Sequence, residues 1–63
     1  MIYNEPADVY VCFGRNGDGS DISKIFSEID AIRAEDGYIE LIHNNEHVVA
    51  IIPKEAIWYL EWR

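Results

Sequence analysis

The chain has a single cysteine, Cys12, among its 63 residues. No disulfide can form within it, which excludes the stapled, secreted class of small domains and favours a reducing compartment. Cations are scarce as well: five Lys and Arg stand against twelve Asp and Glu, a formal net charge of −7. Binding to phosphate backbones or anionic membranes draws on clustered Lys and Arg, so neither nucleic acid nor membrane is expected as a direct partner. No apolar run approaches the ~18 residues of a membrane span. The opening Met1-Ile2-Tyr3-Asn4-Glu5-Pro6 lacks the basic start of a signal peptide. These absences read as a cytoplasmic protein. Repeats, low-complexity tracts and linkers are also missing, so residues 1–63 read as one domain with an irregular lead-in at 1–7.

What is present is a folding composition, 49% hydrophobic and 13% aromatic. A chain this short buries only about 60% of the surface its unfolded form exposes. Small domains of this kind draw on disulfides, metals or partner subunits, and here the first is unavailable. The acids have a plain explanation too, since net charge keeps a small apolar domain dispersed.

Along the chain, Val9-Tyr10-Val11-Cys12-Phe13 is a β-branched and aromatic run closed by Gly14, and predicts a strand. Arg15 to Ser20 contains Gly17 and Gly19 among polar residues and reads as a loop. Ile22, Ile25, Phe26, Ile29 and Ile32 then recur at helical spacing. With Ser20 or Asp21 as a cap and Asp36-Gly37 beyond the end, they predict a helix. Tyr38 to His43 and His47 to Ile52 flank Asn44-Asn45-Glu46 and predict a β-hairpin; Pro53 ends its second strand. Ala56 to Trp62 is a last strand, expected beside the preceding one. The fold class expected is therefore α+β, in the order β-α-β-β-β, with one helix packed on a face of a mostly antiparallel sheet.

Alternation then sorts the strand residues into two sets. Val9, Val11, Phe13, Ile39, Leu41, Trp58, Leu60 and Trp62 would cover the helix stripe. The opposite set holds Tyr10, Cys12, Tyr38, Glu40, Ile42, Ile57, Tyr59 and Glu61, joined by Val48 and Ile52 or by Val49 and Ile51 according to register. One helix cannot cover both faces. Tyr10, Tyr38, Ile42, Ile57 and Tyr59, with Trp58 and Trp62 at the rim, are the candidate interface, because aromatics supply large contact area. Asp21, Glu28 and Glu35 are the candidate acidic surface, along a flank of the expected helix.

The motifs that carry chemistry elsewhere fail here on context. His43-Asn44-Asn45-Glu46-His47 matches H-x-x-E-H, but that pattern binds zinc from a helix and its flanks here are β-patterned. Asn16-Gly17-Asp18-Gly19-Ser20-Asp21 has the alternating oxygens of a calcium loop. It lacks glycine at the sixth position and glutamate at the twelfth. Gly14, Gly17 and Gly19 match neither phosphate-loop spacing, and Asp18 and Asp21 would repel a phosphate. Cys12 sits in an apolar run that keeps a thiol inert. Ser23, Ser27 and Ala31, a small-residue strip on a helix, would allow a second helix to approach. No catalytic, metal or cofactor residue is assigned.

The expected function is therefore a non-catalytic protein–protein interaction module: a small regulator, adaptor or inhibitor of the kind phages also encode. Its Tyr/Ile face would bind another protein and self-associate into a homo-oligomer, and its acidic flank would steer it to a basic target. The alternatives are an acidic nucleic-acid mimic that blocks a basic DNA- or RNA-binding protein, and a purely structural homo-oligomer.

Overall fold

The structure, a computed structural model, describes residues 1–44 and 46–63. It is a single antiparallel sheet of five strands: β1 (Ile2–Arg15), β2 (Asp21–Ala34), β3 (Tyr38–His43), β4 (His47–Pro53) and β5 (Tyr59–Trp62). They lie in the order β4-β3-β2-β1-β5. The first four form a meander, and the chain then crosses from one edge of the sheet to the other. A one-turn 3-10 helix, Lys54–Ala56, begins that crossing, its Lys54 N–H donating to the Gly37 carbonyl at 3.0 Å.

The expected α+β class is overturned, because the segment predicted as a helix is the long strand β2. The apparent helical period has a specific origin. Ile22 and Phe26 lie at register positions opposite Gly14 and Val9, and Ile29 opposite Ala7. Between Phe26 and Ile29 an extra residue enters β2, and Glu28 there has a φ of 58°. Such a bulge shifts side-chain parity by one. The stripe is not one face of the strand: Ile22 and Ile25 are exposed, and only Phe26, Ile29 and Ile32 reach the core, at spacings of three that a helix would also give. Isoleucine supplies four of the five stripe positions, and β-branching favours the strand.

Other boundaries move for local reasons. The lead-in expected at 1–7 is already strand, paired with β2 at Ile2–Ile32 and Tyr3–Ala31 and irregular between Tyr3 and Ala7, where Pro6 lies. The last strand starts at Tyr59, since Ala56 belongs to the 3-10 turn. Its neighbour is β1, through Val9–Trp62, Tyr10–Glu61, Val11–Leu60 and Cys12–Tyr59, and not the preceding strand. Asn45, the middle of the expected hairpin turn, lies outside the described residues.

With no helix to cover it, the sheet covers itself. Val9, Val11, Ile29, Ile32, Ile39, Leu41 and Ile52 form one buried cluster, with Phe13, Phe26, Ile57, Leu60 and Trp62 packed against it. These residues come from all five strands and from the β4–β5 connection. Trp58 alone of the set expected on the cluster's face stays out, 62% exposed. On the opposite face of the sheet Tyr10, Cys12, Ala31 and Ile42 are buried as well.

Candidate interaction surfaces

The seven expected interface residues do not form one surface. Tyr10 and Tyr59 are fastened together on the face opposite the buried cluster. Both hydroxyls donate to Asp21 Oδ2, at 2.7 and 2.8 Å, and the rings lie 5.9 Å apart. Arg15 Nε approaches the other Asp21 oxygen at 3.5 Å, and the Arg63 guanidinium lies 3.7 Å from the centre of the Tyr10 ring. The Tyr10 hydroxyl, then that of Tyr59, hold the Asp21 carboxyl below its ordinary range. The same carboxylate raises the Tyr59 phenol. Tyr10 is buried, so this group works as a latch that ties β5 to β1 and β2.

Ile42 is 2% exposed beside Ala31 and belongs to the interior. Ile57 and Trp62 line an apolar cleft of about 500 Å³, together with Ile2, Ile32, Ile39, Leu60 and Lys54. Trp58 lies over Gly14, where a Cβ would meet its indole at 3.8 Å, and beside Ile22. Tyr38 is exposed opposite Pro53, the last residue of β4.

The acidic surface expected along a helix flank loses its geometry with the helix. Asp21 is held in the tyrosine latch. Glu28 sits at the β2 bulge, where its carbonyl accepts a 2.8 Å hydrogen bond from His43 Nδ1. Glu35 follows the end of β2, 3.5 Å from Arg33 Nε. Arg33 also bonds Glu40, the one buried acid among the described residues, across the β2–β3 pair.

The surface that sequence reasoning left unassigned is the outer edge of β4. This strand ends the sheet and carries Val48, Val49 and Ile51 exposed at 40, 45 and 62%. From His47 to Pro53 it bears no Asp, Glu, Lys or Arg. Edge strands expose a row of backbone donors and acceptors, and proteins blunt them with lysines, prolines or short length. The opposite edge obeys that rule: β5 has four residues, contains Glu61 and is followed by Arg63, which pairs with it. On β4 the protections among the described residues are the terminal Pro53 and a bulge at Val49, the extra residue between the partners of Leu41 and Ile42. The signal was visible in the sequence as a charge-free β-branched run.

The remaining motifs find structural roles. In the Asn16–Ser20 loop, Asp18 Oδ1 accepts from the Ser20 amide and hydroxyl at 2.9 and 2.6 Å, and Asn16 N–H donates to the Ser20 carbonyl at 2.7 Å. Its oxygens are spent on closing the β1–β2 turn. His43 and His47 are a cross-strand pair at the β3–β4 turn. Among the described residues no three His, Cys, Asp or Glu side chains are placed to share a metal ion. Cys12 is fully buried, its thiol donating to the Gly14 carbonyl at 3.2 Å. Ser23, Ser27 and Ala31 lie on a strand, so the strip that would have docked a helix does not exist. No helix among the described residues is long and apolar enough to cross a membrane.

No family model, no curated protein and no solved structure matches the chain.

Proposed function

We propose that this chain is a non-catalytic, cytoplasmic protein–protein interaction module that engages its partner by strand addition along β4. One observation carries the reading: an outer edge strand seven residues long, free of charged side chains, with three large aliphatic residues exposed. An extended partner segment placed there gains main-chain hydrogen bonds, and its alternate side chains pack on Val49 and Ile51. The rest of the molecule suits such a role. The latch and the buried cluster fix the scaffold, and the net charge of −7 discourages indiscriminate association.

Selection of random heptapeptides on immobilised protein tests this. The wild type is expected to enrich β-branched, period-two sequences, while the Ile51→Lys variant, which places a charge on the edge, enriches none. Equal enrichment on both, or none on either, would refute strand addition at β4.

A further inference from the structure

We infer that the occupant of the β4 edge is a second copy of this chain, paired antiparallel about a twofold axis through Ala50. The inference rests on the strand-addition reading and names its partner. Charge is the first argument. The molecule is acidic, yet the segment from Glu46 to Lys54 is neutral, with one acid and one base at its two ends and none between. A basic partner strand finds no complement on it; an uncharged, β-branched strand does, and β4 is itself such a strand.

Register is the second argument. Twofold symmetry makes an edge contact self-complementary, so residue 50+k of one copy faces residue 50−k of the other. Centred on Ala50, the exposed Val49 and Ile51 of each copy face Ile51 and Val49 of its mate. Cross-strand aliphatic pairs of this kind are the unit of sheet stabilisation. Glu46 lies just before β4 and Lys54 just after it, in the 3-10 turn, so the same axis brings the acidic end of each strand towards the basic end of the other. Among the described residues Lys54 has no carboxylate partner within its own chain, whereas the three arginines all do. β4 carries one extra residue, Val49, between Val48 opposite Ile42 and Ala50 opposite Leu41; such a bulge adds local twist at the middle of the edge, and two-stranded junctions carry extra twist in any case. The product is a continuous ten-stranded sheet in which the unprotected edge is consumed and only the short, charged β5 edges remain.

The test is sedimentation equilibrium at ~0.15 M salt, where long-range repulsion is screened beyond about 8 Å, on the wild type, E46K, K54E and the double variant. The wild type is expected to dimerise weakly, since one strand pair buries less than a standard interface. Each single reversal sets like charges opposite at two symmetric places and should lower the association constant about tenfold; the double variant should recover it. Net charge alone predicts a different order. E46K has −7 + 2 = −5 and would associate more tightly, K54E has −7 − 2 = −9 and would associate less. A monomer at millimolar concentration, or the net-charge order, overturns the proposal. If either comes with peptide selection that still depends on Ile51, strand addition stands and only the second copy fails. If the Ile51 dependence is lost as well, both fall.

Discussion

Replacing Glu28 by glycine should stabilise the fold relative to replacing it by alanine. Both changes remove the carboxylate and the side chain, so their difference isolates the backbone. Glu28 has a φ of 58°, in the region where a Cβ crowds the following carbonyl at a cost of roughly 1–2 kcal/mol. Glycine escapes that cost but loses about 0.5–1 kcal/mol more conformational freedom on folding. The net expectation is an advantage of about 0.5–1 kcal/mol for E28G over E28A. In a domain of this size that raises the midpoint of thermal unfolding by about 2–8 °C. Circular dichroism and the fluorescence of Trp58 and Trp62 would report it. Gly19, with a φ of 91°, is the control of opposite sign: G19A should lower the midpoint. An E28G midpoint at or below that of E28A would refute the bulge as the place where the parity of β2 changes under strain.

Leu41 is fully buried in the middle of the sheet, so Leu41→Ala should cost about 2–5 kcal/mol. The whole fold commands about 3–9 kcal/mol, and a urea titration should find the variant partly unfolded before denaturant is added; a loss under 1 kcal/mol would contradict the shared core. The latch predicts two pH limbs. Asp21 titrates below its ordinary value, so its stabilisation is complete above about 3.9 and is lost as pH falls through that value and below. Tyr59 titrates above its ordinary value, so its stabilisation is complete below about 10 and is lost as pH rises beyond it. Urea midpoints measured across pH should fall at both ends, and Asp21→Asn should shrink both limbs; limbs unchanged in that variant would mean that the Tyr10–Asp21–Tyr59 contacts contribute nothing.

Strand content was legible wherever alternation ran uninterrupted, as in Val9 to Phe13 and Tyr38 to His43. The core residues of β1, β3 and β5 could be grouped by parity alone. What covers them could not, because the spacing of Phe26, Ile29 and Ile32 is that of a helix, and a hydropathy pattern does not tell a bulged strand from a helical turn. The placement of β5 was hidden for another reason. Neighbours in sequence are usually neighbours in a sheet, and nothing in Tyr59 to Trp62 names β1 over β4. The site suffered from the same two errors. Tyr10 and Tyr59 looked like contact residues because aromatics on an uncovered face suggest an interface; in fact they bond one carboxylate, Asp21, that had been placed on a helix. The β4 edge was visible as a charge-free run, but an edge is a property of strand order, and strand order is what the pattern withholds.

The pairing of β5 with β1 also sets a clock. Val9 meets Trp62 and Cys12 meets Tyr59 only after nearly the whole chain has been looped back, whereas the meander from β1 to β4 is assembled from adjacent segments. Loop closure of that span costs entropy before any contact rewards it, and folding slows as such distant pairings dominate. The meander is therefore the natural first product, with the core cluster not yet covered by Leu60 and Trp62, and the arrival of β5 is the late event. In reverse, β5 is the four-residue strand whose departure starts unfolding, and Asp21 with its two tyrosines is the catch that governs how often it leaves.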